Sequence, residues 1–229
     1  MSSTETSVSK YSLRSLAVVA VYVPFFLYLG HFAPHNPLQS LKKDYEKHSH
    51  MENHTLQVYA GMIEALDRSI GKILSALEKN GLTENTLIIF ASDNGGAGYI
   101  GLDDINKPYR GWKLTHFEGG MHIPFFAKWP AKIKKDMKYN KRIHHTDIFS
   151  TILGAANIEP PKEIKIDGVN LIPFLTNQKS GEPHERMHLR SRRRKDAELK
   201  IAWLVSAPQG QQGRQLLVKL QQLRMWVRL

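Results

Sequence analysis

Asp93 and Asn94 sit in the stretch TLIIFASDNGG, residues 86–96, directly after an apolar run. A carboxylate and a side-chain amide oxygen are hard donors of the kind that hold a divalent cation. The end of a buried strand is where α/β proteins place such groups. Gly95 and Gly96 allow the backbone to turn sharply and keep bulk away from whatever the two donors face. An acid followed by Asn-Gly is also a common turn, so these four residues alone do not define a metal site. Two cations complete the set. Lys113, in the run PYRGWKLTHFEGG, supplies a compact positive charge, and His35, stiffened between Pro34 and Pro37 in APHNPLQ, supplies an imidazole that can donate a proton. Together these groups could neutralise an anionic group and protonate a departing oxygen.

The elements that must bring them together follow from periodicity. Residues 25–30 are an apolar run that predicts a buried parallel strand leading into the His35 loop. Residues 59–79 place Met62, Leu66, Ile70, Ile73 and Leu77 at three- and four-residue steps, which predicts an amphipathic helix stopped by Gly81. The run 86–91 predicts a strand covered on both faces, and 123–129, ended by Pro130, predicts another. Residues 144–156 predict a short helix with Thr146 or Asp147 near its start and Ile148, Ile152 and Leu153 inward. Strand and helix alternate, so the expected class is an α/β layered fold. The division expected along the chain is an unassigned leader-like segment, 1–24, a catalytic-type domain, 25–178, and a basic tail, 179–229. In that tail Leu216, Leu220, Leu223 and Val227 could line a helix.

Composition narrows the partners. The 229 residues carry a formal charge of +11, but from Arg190 onward ten Arg and Lys face two acids, which leaves the body only mildly basic. Nucleic acid is therefore not an expected partner, and the tail cluster SRRRK reads as a solvated segment. The chain contains no cysteine, which excludes disulfides and thiolate zinc sites. The apolar run 16–29 follows Lys10 and Arg14 as in a signal peptide, yet it gives no clear signal peptide and is short for a membrane span, so a membrane partner is not expected. Asn53-His54-Thr55 is a glycosylation sequon. His48, His50 and His54 lie in a polar stretch and read as solvated rather than as a metal cluster.

Five islands, PFFLYLGHFAPHNPLQ, YAGMIEALDRSIGKILSALEKNGLTENTLIIFASDNGG, PYRGWKLTHFEGGMHIPFFAKWP, HHTDIFSTILGAANIEPP and IDGVNLIPFL, occur in the order found in sulfatases. From Pro24 to Leu175 the chain resembles the later half of the catalytic domain of arylsulfatases and N-acetylgalactosamine-type sulfatases, which belong to the alkaline phosphatase superfamily. The resemblance implies a mixed sheet sandwiched by helices, here lacking the amino-terminal strands. It also implies hydrolysis of sulfate esters, a bound calcium with Asp93 and Asn94 as two of its ligands, and His35 and Lys113 on the sulfate group as catalytic and substrate-binding residues. His31, Glu118, His144 and Asp147 fall in matching segments and are expected to shape the site or pack. The expected substrate is a sulfated small molecule or sulfated glycan, and the expected compartment is lysosomal or secretory.

The departures are as informative. The family's nucleophile is a formylglycine made from Cys-x-Pro-x-Arg or Ser-x-Ala-x-Arg. This chain has no Cys, and no Arg follows a Ser by four residues. An early Asp-Asp pair of calcium ligands is also missing, and Asp103-Asp104, which comes after the metal pair, reads as an exposed loop. The tail differs from the antiparallel subdomain that the family carries. The expectation is a fragment of a sulfuric-ester hydrolase, inactive alone and with an incomplete calcium site. The alternative is a non-catalytic remnant that binds sulfated ligands or a partner protein. A phosphate-ester hydrolase of the same superfamily is a weaker third reading, since the usual nucleophilic Ser or Thr setting is also unseen.

Overall fold

The computed structural model of the chain describes residues 24–102, residues 104–187 and, as backbone, the strand 201–206. Asp103 and the basic helix expected near residues 216–227 lie outside the described residues. Among the described residues four strands form one sheet: β1 (Phe26–Gly30), β2 (Thr86–Ala91), β3 (Phe125–Lys128) and β4 (Ile201–Ser206), in the order β1-β4-β2-β3. Five α-helices accompany them among the described residues: α1 (Lys42–Tyr45), α2 (His54–Lys79), α3 (Glu118–Met121), α4 (Thr146–Ala155) and α5 (Ile172–Leu175).

Alternation along β2 explains why this strand carries two cores. Side chains of a strand point to opposite faces in turn. Leu87, Ile89 and Ala91 join Ile148, Ile152 and Ala155 of α4 and Leu171 and Leu175 around α5, with Phe26, Tyr28, Phe125 and Ala127 packed alongside. Ile88 turns the other way and meets Leu27 of β1 and Ile73 and Leu77 of α2. Helices therefore cover both faces, as a strand of continuous apolar residues requires. Leu87 and Ile89 are each 1% exposed, and burying such a side chain is worth about 1.5–3 kcal/mol.

The parallel strand expected over 25–30 is an antiparallel one. β1 and β2 do run in the same direction, but β4 lies between them and pairs antiparallel with both: Gly30 and Ala91 each face Ile201. Hydrophobic runs report burial and not strand direction, and the intervening strand comes from the far end of the sequence. IAWLVS in β4 falls in the stretch expected to be a basic tail, although its β-branched and aromatic content suits a strand. Among the described strands β1 and β3 form the two edges; β3 is four residues long, and Pro130 follows shortly after it.

α2 starts five residues earlier than periodicity suggests, because Asn53 of the sequon caps it: its Oδ1 accepts the Leu56 N–H at 3.1 Å. The helix stops where Gly81 predicts. Gly81 adopts φ 65°, the Gly81 N–H reaches Glu78 O at 3.0 Å and the Leu82 N–H reaches Leu77 O at 2.9 Å, a Schellman ending sealed by Leu82 against Leu77. Arg68, on the polar side of this helix, grips Asp44 of α1 through both carboxylate oxygens at 2.7 and 2.6 Å, and Asp44 is fully buried. That pairing fixes the segment that follows the His35 loop.

Candidate functional site

Three loops converge at the rim where β1 and β2 end. The first, residues 31–37, follows β1, the second, 92–97, follows β2, and the third, 106–120, runs into α3. Glycine makes their close approach possible. The Gly95 N–H donates to Gly120 O at 3.0 Å, and the Gly119 N–H donates to Arg110 O at 2.7 Å. A Cβ on Gly95 would strike the Gly119 carbonyl, and a Cβ on Gly119 would strike that of Gly111. Gly111 itself sits at φ 90°, open only to glycine at low cost. The sequence motifs DNGG, RGWK and FEGG are thus one packed unit.

A cavity of about 120 Å³ opens among these loops, lined by His35, Lys113, Asn94, His31, Tyr59 and Tyr99 with several others. Lys113 Nζ lies 3.2 Å from His35 Nε2 and 3.3 Å from the Tyr99 hydroxyl, although 78 residues separate the first pair in sequence. Lys113 is buried, at 7% exposure. The His35 ring is oriented from its other side: Nδ1 lies 2.7 Å from the Asn36 carbonyl, which can only accept, so Nδ1 carries the hydrogen and Nε2 presents its lone pair to Lys113. Phe32 stands edge-on to this ring, centroids 5.6 Å apart.

Of the four expected site residues, His35, Lys113 and Asn94 share the cavity wall. Asp93, on the same loop as Asn94, is half-buried and is not part of that wall. The donor chemistry of Asp93 and Asn94 fits a hard cation such as calcium. Among the described residues no three His, Cys, Asp or Glu side chains are grouped to hold a metal ion.

His31 lines the cavity, its Nε2 is buried without a hydrogen-bond partner, and burial holds its pKa below the usual imidazole value. Asp147 is fully buried and accepts the His144 N–H at 2.7 Å, the Val169 N–H at 2.8 Å and His184 Nε2 at 2.8 Å. His144 is held below the usual imidazole value by burial and then by the His145 charge. His145 donates from Nε2 to Ser92 O at 2.8 Å, which ties α4 to the loop after β2. Glu118 is exposed and lies 3.6 Å from His122. Asp104 pairs with Lys107 at the surface, His48 lies 3.9 Å from Glu64, and His54 contacts the Tyr45 hydroxyl at 2.9 Å.

Tyr99, Tyr59 and Asn106 carry no signal in the sequence that marks them as site residues. Tyr59 belongs to the helix pattern, where an aromatic reads as packing. Tyr99 stands in a single 3-10 turn, Gly98–Ile100, and Asn106 in a loop, with no periodicity to flag either.

A model of the sulfatase family matches residues 13–158. The chain belongs to the sulfatase family. It is 39% identical over 165 residues to the uncharacterized sulfatase YdeN of Escherichia coli strain K12, covering 72% of this chain and 29% of that protein. It is 35% identical to the N-acetylgalactosamine-6-sulfatase of Mus musculus, covering 66% of this chain and 28% of that one. Among solved structures it resembles Ps i-CgsB in complex with k-i-k-neocarrahexaose, with a TM-score of 0.61 and 33% identity over 66% of this chain and 33% of that one. The chain therefore spans less than a third of the length of the curated sulfatases it matches.

Proposed function

We propose that this chain forms the sulfate-holding side of a sulfuric-ester hydrolase. The observation that carries the proposal is the approach of Lys113 to His35 across the cavity, 3.2 Å between Nζ and Nε2. An ammonium in a half-enclosed, low-dielectric position attracts an anion far more strongly than it does in water. Entry of a sulfate ester between the two groups lets Lys113 compensate a non-bridging oxygen. It lets His35, once protonated at Nε2, hydrogen-bond the bridging oxygen and pass its proton to the departing alcohol. Tyr99 holds the Lys113 ammonium in place from one side.

Asp93 and Asn94 are proposed as two oxygen ligands of a calcium ion. When bound, that ion supplies positive charge beside the sulfate. Nothing in the sequence supplies the family nucleophile, because the chain contains neither Cys nor a Ser four residues before an Arg. The proposed activity of the chain alone is binding of sulfate esters without turnover. The names of its relatives support sulfated sugars as the substrate class. Residues 25–178 form the proposed catalytic-type domain, with a secretory or lysosomal destination as in the family. Among the described residues no helix is long and apolar enough to cross a membrane.

The test is a titration of the purified chain with an aryl sulfate, with and without calcium, alongside Lys113→Ala. Saturable binding lost in Lys113→Ala supports the proposal. Equal binding by both proteins overturns it. Turnover by the chain alone would overturn the inactive assignment while keeping the family reading.

A further inference from the structure

We infer that Asn106 is a positioning residue that locks Lys113 to the loop after β2. The inference rests on the reading of Lys113 as the anion-holding group and extends it to a residue that is not part of the cavity wall.

The Asn106 side chain bridges two loops through three of the four hydrogen bonds an amide can make. Its Oδ1 accepts the Gly96 N–H at 2.7 Å, and its Nδ2 donates to Gly96 O at 3.0 Å and to Gly111 O at 3.1 Å. The Gly96 carbonyl also accepts the backbone N–H of Lys113 at 3.2 Å. One peptide carbonyl is therefore shared by Asn106 and Lys113, and one amide side chain spans the glycine after Asp93-Asn94-Gly95 and the glycine two before Lys113. Gly96 packs closely on the Ile105 side chain, which a Cβ there would meet at 2.7 Å.

Only an amide of this length meets the requirement. Aspartate lacks the two N–H donors, alanine lacks everything, and glutamine would push the fork one methylene too far. Loops that carry functional groups are held by such supporting hydrogen bonds, and removing them typically lowers ligand affinity roughly 10–100-fold without touching the ligand. A displacement of about 1 Å at Lys113 suffices to lose the geometry. Asn106 thus makes the 92–97 loop and the Lys113 loop move as one body.

The full-length chain, Asn106→Ala and Asn106→Asp are to be compared by amide hydrogen exchange and by titration with inorganic sulfate. Asn106→Ala is expected to lose protection at the Gly96 and Lys113 amides by at least about tenfold and to bind sulfate roughly 10–100-fold more weakly, while Ile89 in β2 keeps its protection. Asn106→Asp, which retains the acceptor for the Gly96 N–H, is expected to fall between the two. Should Asn106→Ala not fold, Asn106→Asp carries the comparison. A folded variant that keeps both the protection of Lys113 and the wild-type sulfate affinity overturns the inference. If the wild-type chain binds no sulfate, the proposed function fails and the exchange data alone decide whether Asn106 positions Lys113: lost protection sustains the inference and unchanged protection ends it.

Discussion

Gly95 and Gly119 meet backbone against backbone, with the Gly119 carbonyl oxygen in the space where a side chain on Gly95 would begin. The contact makes the loop after β2 and the turn into α3 a single surface, and it leaves no tolerance for a methyl group. Gly95→Ala is therefore expected to cost about 1–3 kcal/mol of stability, measured by urea unfolding, and to reduce sulfate binding. The control is Gly71, in the middle of α2, where a methyl group would find nothing within 4 Å. Gly71→Ala should stabilise the protein by about 0.5–1 kcal/mol. A destabilising Gly71→Ala would show that α2 is not built as described.

The Lys113 and His35 pair calls for a point charge rather than a fork. Arg in place of Lys is longer, planar and forked, and cannot reproduce a contact to both His35 Nε2 and the Tyr99 hydroxyl in a buried setting. Lys113→Arg should recover less than about a tenth of the sulfate affinity that Lys113→Ala loses. Isothermal titration with sulfate decides it, and full recovery would remove the steric part of the reading.

Asp44 ties acid sensitivity to the segment behind the His35 loop. The Arg68 guanidinium, bonded to both its oxygens, holds its carboxyl below the usual carboxylate range. A depressed pKa means that the unfolded state binds protons more readily, so the contribution to stability is present above the ordinary Asp value and is lost as pH falls through the folded one. Asp44→Asn should lower stability at neutral pH and flatten its decline below about pH 4. Urea midpoints taken between neutral and acid pH read this directly, and parallel curves for the two proteins would count against it.

His31 acts at milder pH. Burial lowers its pKa, so the folded protein resists protonating it while the unfolded chain accepts the proton at the ordinary imidazole value. Stability from this group is complete above that value and declines as pH drops toward the folded pKa. His31→Gln should remove part of the slope of stability against pH between about 7 and 5. An unchanged slope would place the titration elsewhere, with His144 the next group whose pKa burial lowers.

Much of the scaffold is legible because its signals are local. The β2 run, the stripe from Met62 to Leu77, the stop at Gly81 and the inward set Ile148, Ile152 and Leu153 each follow from spacing within one element. The approach of His35 and Lys113 is suggested by residue type and family resemblance, and no local pattern encodes a contact across 78 positions. Asn106 is hidden for a related reason. Its value lies in three bonds to the backbone of two glycines, and backbone partners leave no trace in residue identity. Asp44 and Arg68 likewise read as ordinary surface charges until the fold buries one of them. Strand direction is illegible as well, since the partner that sets it, β4, begins 110 positions after β2 ends.

That distant strand has a temporal consequence. Among the described strands β1 is hydrogen-bonded only to β4, so the arm bearing His35 and the arm bearing Lys113 share a continuous ladder only once Ile201–Ser206 has docked. Closing so long a loop is slow relative to forming α2 or α4. During synthesis the ladder that joins the two walls of the anion pocket therefore waits on a strand that emerges long after both walls have left the ribosome.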